Sequence, residues 1–177
     1  MNRVRGSSTL AANLATRAAD LGLGRILIVD ANLAGPCQSR LLGVGDGPGL
    51  SDVLAGVASL TDAIHQSTTK GLDVLTAGTV GNGEVAVAPD VLAGLVSELR
   101  SDYELVLFDL VPVSDSASSI IFQINLDGVL LVLRAEKTKA TRARVALNLL
   151  EEGGTEVIGA VLNRQSRDLP AWLDRWL

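Results

Sequence analysis

The sequence is poor in aromatic residues, cysteine and histidine. Aromatic residues make up 3% of the 177 residues, against 47% for all hydrophobic residues, and this composition suits helices packed on a parallel sheet better than a β-sandwich. Cys37 is the one cysteine, so no internal disulfide can form, which is typical of a reducing cytoplasm. The longest apolar runs, such as residues 129–133, are too short to span a bilayer. We therefore expect a cytoplasmic protein with no direct membrane span.

Size and charge narrow the class further. A chain of 177 residues corresponds to one domain, and we treat residues 1–177 as a single domain with a well-buried core. The formal net charge of −5 argues against bulk electrostatic attraction to nucleic acid, although it leaves room for a local basic patch. We expect no nucleic-acid partner.

Apolar runs alternate with helical patterns along the chain. The apolar runs predict strands buried in a parallel sheet, at residues 25–30, 72–75, 104–109, 128–133 and 157–162. Apolar periodicity and helix-start residues predict helices, at about 8–21, 50–55, 60–64, 89–100, 114–123 and 138–152. Because such alternation builds right-handed βαβ units, we expect an α/β fold with a mostly parallel sheet and helices on both faces.

A glycine followed by three hydroxyl residues opens the first helix. Gly6 permits a tight turn and close approach of a ligand. Ser7, Ser8 and Thr9 then supply free amide groups at a helix start, where anions are favoured. A phosphate-binding loop (P-loop) of the usual kind has a lysine directly after its last glycine, and Ser7 occupies that position. The stretch therefore has the shape of a P-loop without the lysine.

A buried strand normally precedes a loop of this kind, and only five residues precede Gly6. Two alternatives stay open. Either the chain lacks its first strand, or the sequence is a truncated or misassigned fragment.

Acidic and amide side chains end three of the predicted strands. Asp30 and Asn32 follow the first apolar run, Asp109 ends the run at 104–109, and Asn163 follows the last strand. Open α/β sheets place their ligands at the carboxyl ends of strands, so these four residues are candidates for a binding site. The alternative for Asp30 and Asp109 is that each caps a strand end and accepts hydrogen bonds from nearby amides.

Several segments taken together resemble one protein family. They are Gly-Ser-Ser-Thr-x-Ala-Ala-Asn-Leu-Ala, Ile-Leu-Ile-Val-Asp-Ala-Asn-Leu-x-x-Pro, Gly-Leu-Ser-Asp-Val-Leu-Ala-Gly, Leu-Asp-Val-Leu-x-Ala-Gly, Phe-Asp-x-x-Pro-Val and Gly-Ala-Val-Leu-Asn-Arg. In this order they resemble the cytoplasmic bacterial tyrosine kinases of capsule and exopolysaccharide synthesis, which belong to the P-loop group that includes the MinD and ParA ATPases. The resemblance runs from Gly6 nearly to the end of the chain.

The resemblance implies a role for each site residue, with ATP and Mg²⁺ as cofactors. The family's loop reads Gly-Glu-Gly-Lys-Ser/Thr-Thr, so Ser7 falls on the lysine, Ser8 on the hydroxyl that holds Mg²⁺ and Thr9 on the next hydroxyl. Asp30 matches an acid that acts as a base or as a ligand to metal-bound water, and Asp109 matches one that orients Mg²⁺.

Of the two amide residues at the strand ends, one departs from the family pattern and the other matches it. Asn32 replaces the family's second acid and cannot act as a general base. Asn163 matches the residue that contacts the purine, with an ordinary turn asparagine as the alternative.

Arg3 or Arg5 is a candidate replacement for the missing lysine. The opposing interpretation is a loop that has drifted and only starts a helix.

From the resemblance we expect a divergent tyrosine-kinase-like protein that regulates capsular or exopolysaccharide biosynthesis and has weakened or lost phosphotransfer. Its implied partner is a membrane-bound polysaccharide co-polymerase, which would place it at the inner membrane through that partner, and it could form a homo-oligomer. Two alternatives stay open: a positioning ATPase of the MinD/ParA type, or a scaffold that binds no nucleotide.

The ends of the chain raise two further points. Leu169, Trp172, Leu173 and Trp176 recur at helical spacing and predict a short amphipathic helix over 169–177, which would pack on the domain or a partner, or else lie in a membrane interface. The family's kinases often end in a tyrosine cluster, but Tyr103 is the one tyrosine here. We therefore do not expect self-phosphorylation at a tail.

Overall fold

The computed structural model describes residues 6–79, 88–111, 125–135 and 137–164. Three expectations lie outside these residues: the strand before the loop, the helix at 114–123 and the amphipathic helix at 169–177. Within the described ranges, no helix is long and apolar enough to cross a membrane.

The described elements follow the expected alternation. In chain order they are α1 (Gly6–Asp20), β1 (Ile26–Asp30), α2 (Gln38–Leu42), α3 (Leu50–Leu54), α4 (Leu60–Ala63), β2 (Ile64–Gln66), β3 (Leu72–Leu75), α5 (Pro89–Asp102), β4 (Leu105–Asp109), β5 (Val129–Arg134), α6 (Ala140–Glu152) and β6 (Val157–Asn163). Every predicted strand is present within one or two residues of its expected bounds.

Strand β1 lies at the centre of the main sheet, whose order is β2-β3-β1-β4. It pairs in parallel with β3 on one side and with β4 on the other. All five of its residues are buried, which is why this stretch reads as a continuous apolar run and does not alternate. The short edge strand β2 runs antiparallel to β3.

Helices cover both faces of this sheet, which confirms the predicted architecture. Leu27 and Val29 of β1 point toward a core that includes Leu92 and Leu99 of α5. Ile26 and Ile28 point to the opposite face and pack with α1, where Ala15 is fully buried. The alternate residues of one strand thus belong to two separate cores.

Strands β5 and β6 form a second, two-stranded parallel sheet. At one end, Arg100 of α5 forms an ion pair of 2.5 Å with Asp127, just before β5. At the other, Asn163 at the end of β6 donates to the carbonyl of Gly6 at 3.0 Å. A cavity of about 1160 Å³ lies between β4 and β5, and Leu105, Leu107 and Leu131 are among its lining residues.

Three features differ from the sequence-based expectation. The helix α2 and the strand β2 were not predicted, because each is very short and neither carries a full period of an apolar pattern. On α6, the apolar pattern predicts a buried face that includes Val145, Leu149 and Leu150, but 58% of Val145 is exposed, whereas Leu150 is fully buried. The helix therefore buries a narrower face than its apolar pattern suggests.

A polar cluster closes the amino-terminal edge of the sheet. The guanidinium of Arg25 lies over the Tyr103 ring, 4.6 Å from its centroid, and donates to Asp73 at 3.2 Å. The Tyr103 hydroxyl donates to the same Asp73 oxygen at 2.9 Å. Burial, followed by the hydrogen bond to Asp73, raises the pKa of Tyr103 to about 12. The cluster thus joins β1, β3 and the residues just before β4.

We predict that Tyr103→Phe destabilises the protein by about 2 kcal/mol, because it removes the hydrogen bond donated to Asp73 and the longer one accepted from Arg25 but keeps the packed ring. Urea unfolding followed by circular dichroism measures this. In a double-mutant cycle with Asp73→Ala, the two costs should not add, since both variants break the same contact. Strictly additive costs would contradict the shared hydrogen bond.

Candidate functional site

Two buried aspartates lie side by side at the carboxyl edge of the main sheet. Asp30 ends β1 and Asp109 ends β4, and the two are register partners across the parallel pair. They are 1% and 3% exposed. Two carboxylates in one buried place repel each other and lose their hydration, so this arrangement requires donors nearby.

The loop after β1 supplies two of these donors. The chain turns at Asn32, whose carbonyl accepts from the amide of Gly35 at 3.0 Å, and returns toward the strand end. The backbone amides of Cys37 and Gln38 then donate to Oδ2 of Asp30 at 2.7 and 2.8 Å. The start of α2 therefore holds Oδ2 of Asp30, and this also fixes the orientation of the other carboxylate oxygen, Oδ1.

Gln38 links the remaining parts of the site. Its side chain is fully buried, although glutamine is mostly a surface residue. The amide Nε2 donates to Oδ2 of Asp109 at 2.8 Å and to the carbonyl of Ser8 at 3.1 Å. One side chain thus joins β4 to the first turn of α1. No sequence argument had selected Gln38; the available signal was its position directly after Pro36-Cys37, at the return of the loop.

The first turn of α1 brings the predicted loop residues to the same edge. Ser8 is fully buried, Ser7 is half-buried and Thr9 is exposed. Gly6 lies against Asn163: a Cβ added at Gly6 would be 2.7 Å from Nδ2 of that side chain. Any side chain at position 6 would therefore displace Asn163.

Of the eight predicted site residues, five are linked by hydrogen bonds or shared register. Asp30, Asp109 and Ser8 are joined through Gln38, and Asn163 is joined to Gly6. Asn32 is buried in the same loop. Ser7 lines the cavity between β4 and β5, and Thr9 is exposed. Whether each residue binds a ligand stays a prediction.

The site contains buried oxygen atoms that fit a hydrated magnesium ion. Among the described residues, no hydrogen-bond partner is found for Ser8 Oγ, Asp30 Oδ1, Asn32 Oδ1 and Gln38 Oε1. Unpaired buried acceptors are costly, and hydroxyl, carboxylate and amide oxygens are the ligands of Mg²⁺. The described part of the chain contains no cluster of three His, Cys, Asp or Glu residues. Magnesium normally uses one or two carboxylates together with waters and phosphates, so two acids suffice.

Burial also changes the acidity of the site. Desolvation, with a smaller contribution from the charge of Asp109, raises the pKa of Asp30 to about 6. The amides of Gln38 and Cys37 act in the opposite direction without cancelling it. Asp30 therefore titrates close to neutral pH.

Two of the segments that carry the family resemblance also meet at this edge. The amides of Leu50 and Ser51 donate to the carbonyls of Thr76 and Ala77 at 2.7 and 2.9 Å. The buried carboxylate of Asp52 accepts from the amide and the hydroxyl of Thr79, each at 2.8 Å. The start of α3 is thus fastened to the segment that leaves β3.

We predict that Asp30→Asn stabilises the metal-free protein at neutral pH. Because the folded-state pKa of about 6 exceeds the ordinary aspartate value of 3.8, Asp30 contributes stability below about pH 4 that is lost as the pH rises through about 6. An asparagine stays neutral, so its advantage should grow over this window and then level off, at no more than about 3 kcal/mol.

Urea unfolding between about pH 4 and pH 8 in the presence of EDTA measures this difference. Asp46→Asn is the matched control, because it makes the same substitution at an exposed aspartate. A stability difference for Asp30→Asn that stays constant with pH would contradict the raised pKa.

Comparisons with known proteins give a consistent result. CapB of Staphylococcus aureus, assigned as a tyrosine-protein kinase, is 30% identical over 164 residues, which are 92% of this chain and 72% of CapB. The tyrosine-protein kinase YwqD of Bacillus subtilis is 32% identical over 159 residues, 89% of this chain and 67% of YwqD. EpsB of Ralstonia solanacearum is 32% identical, but the chain spans only 21% of its length. No protein-family model matches the chain.

Solved structures agree with these relatives. The chimeric protein CapA2B2 superposes with a TM-score of 0.81 at 28% identity, covering 93% of this chain and 74% of that one. The septum site-determining protein MinD from Pyrococcus horikoshii, solved with Mg-ADP, gives a TM-score of 0.77 at 28% identity, covering 96% of this chain and 71% of MinD. The predicted P-loop NTPase-like fold is thereby confirmed.

Proposed function

Because the chain belongs to the bacterial tyrosine-protein kinase family that includes CapB and YwqD, we propose that it is a divergent member with weakened or lost phosphotransfer. Its role would be regulation of capsular or exopolysaccharide biosynthesis. The observation that carries this proposal is a site that retains two buried acids and a helix start at one edge, while Ser7 occupies the position of the loop lysine.

The retained parts are those that would hold Mg²⁺ and the nucleotide phosphates. Ser8 and Asp109 would hold the metal, Asp30 would hold its water, and the amides of Ser7 to Thr9 would face the phosphates. Mg²⁺, when bound, neutralises charge on the phosphoryl group that is transferred. The chain's own residues would bind and orient, since Asp30 and Asp109 are fixed by Gln38 and its neighbours.

The lost part is the one on which the reaction rate depends most. Phosphoryl transfer relies on positioning and on charge neutralisation, and removing one preorganised donor of this kind costs about 10²–10³ in kcat. Serine is neutral and much shorter than lysine. We therefore expect the loss of the lysine to weaken Mg-ATP binding less than it slows phosphoryl transfer.

The substrate would not be the chain's own tyrosine. Tyr103 is 7% exposed, and its hydroxyl donates to Asp73 at the amino-terminal edge of the sheet. The acids lie at the opposite, carboxyl-terminal edge. A phosphorylated tyrosine would have to come from another chain, and we propose a membrane-bound polysaccharide co-polymerase as the partner that recruits this protein to the cytoplasmic side of the membrane.

A positioning ATPase is the second candidate, supported by the similarity to MinD solved with Mg-ADP. Such a protein would dimerise when it binds ATP and would not phosphorylate tyrosine. Light scattering with and without Mg-ATP separates this candidate from the first.

We predict that Ser7→Lys tightens Mg-ATP binding and increases tyrosine phosphotransfer to a synthetic Glu-Tyr copolymer by about tenfold or more over the natural sequence. Calorimetric titration and radiolabel transfer measure the two effects. Adding Asp30→Asn to Ser7→Lys should abolish transfer and spare the fold. Equal turnover by the natural sequence and Ser7→Lys would refute weakened catalysis, and failure of both to bind Mg-ATP would leave only the scaffold.

A further inference from the structure

The site as described is strongly acidic for a protein that would bind a polyphosphate. Asp30 and Asp109 lie together. The position at which a P-loop has its positively charged lysine is occupied by the neutral Ser7. Coulomb repulsion between these carboxylates and a nucleotide must be offset by a metal, by a cation of the protein, or by both. We therefore looked for a cationic side chain near the start of α1 that could offset this repulsion.

One arginine of the described chain lies beside that helix start. Arg164 follows Asn163 at the end of β6, and its Nε is 3.8 Å from the position that a Cβ on Gly6 would occupy. The same stretch is tied to the helix by the hydrogen bond from Asn163 to the Gly6 carbonyl.

The backbone of Arg164 supports a constrained placement. Its φ is +59°, and it is the one described residue other than glycine with a positive φ. That conformation is uncommon for a residue other than glycine. It turns the chain directly after β6, next to Asn163, which contacts Gly6.

Three other arginines of the described chain are held in ion pairs away from the helix start. Arg25 is paired with Asp73, Arg100 with Asp127 and Arg17 with Asp20. For Arg164, the described residues record no ion pair. It is exposed, so its guanidinium can reorient toward a bound anion at little cost.

The buried Ser8 side chain gives an independent sign that this helix start receives a ligand. It is fully buried, and its Oγ has no hydrogen bond of good geometry among the described residues, where the Cys37 thiol, a weak donor, is recorded beside it. The helix α1 has 15 residues, long enough for its dipole to favour an anion at Gly6.

We propose that Arg164 is the phosphate-contacting cation of this site and replaces, from the end of β6, the charge that Ser7 does not supply. The inference rests on the proposed ATP-binding function and assigns the substrate contact to a residue outside the loop. A planar guanidinium donates two parallel hydrogen bonds to phosphate oxygens, so it can orient a phosphate without entering the loop.

The test is calorimetric titration of the full chain with Mg-ATP. Arg164→Gln should weaken binding by about tenfold or more, while Arg164→Lys, which keeps the charge, should stay within about threefold. Arg17→Gln is the matched control, since it removes the same charge from the far end of α1. The natural chain should also lose more affinity at high salt than Arg164→Gln does.

A compensating variant makes the outcome specific. If Arg164 does the work of the lysine, Ser7→Lys should restore binding to Arg164→Gln and should improve the natural chain less. Equal affinities of the natural chain, Arg164→Gln and Arg17→Gln would overturn the inference and leave the proposed function standing. Binding by Ser7→Lys but not by the natural chain would also overturn it. If neither binds, the proposed function itself fails.

Discussion

The register between β1 and β4 is the constraint on which the site depends. Ile26 pairs with Leu105, and each following residue pairs in step until Asp30 meets Asp109. Neighbouring strands lie about 4.8 Å apart, so the two carboxyl groups must share one buried place. A shift of one residue would send the acids to different depths and opposite faces. Apolar packing on both sides of β1 fixes this register, and thereby forces the two acids together.

The cost of bringing two acids together explains the polar structure around them. The side-chain amide of Gln38 donates hydrogen bonds to Asp109 and to the Ser8 carbonyl, and its backbone amide donates one to Asp30. The same contacts hold the first turn of α1 on β4. Because Asp30 still has a pKa of about 6, these donors only partly offset burial. A bound cation would relieve the remaining cost, and the stability of this edge would then depend on its occupancy.

The strands could be predicted because burial in the sheet requires continuous apolar sequences, which are recognisable without the structure. The stretch that became β1 is apolar throughout, and the aspartates that end β1 and β4 mark the sheet edge, so Asp30 and Asp109 were placed correctly without the structure. Gln38 could not be found in this way. Its role depends on a loop that folds back over eight residues, and on a helix of five residues with no apolar period.

Arg164 was missed for a related reason. Its proximity to Gly6 joins positions 158 residues apart and follows from where β6 ends, which the hydrophobic pattern gives only to within a residue or two. Sequence reasoning looked for a substitute cation at Arg3 and Arg5, close to the loop along the chain, while the described geometry offers one across the sheet. Contacts made by strand ends are not encoded in local periodicity.

The start of α1 is held in place independently of the residue that gives a P-loop its chemistry. Gly6 is positioned by Asn163, and Ser8 by Gln38, through backbone carbonyl groups in both cases. Neither contact involves the side chain at position 7. A serine can therefore replace the lysine without disturbing the helix start, and the fold still superposes on CapA2B2 with a TM-score of 0.81. Because overall similarity is insensitive to that one charge, kinase activity has to be argued from Ser7, Arg164 and the two acids, and not from the fold.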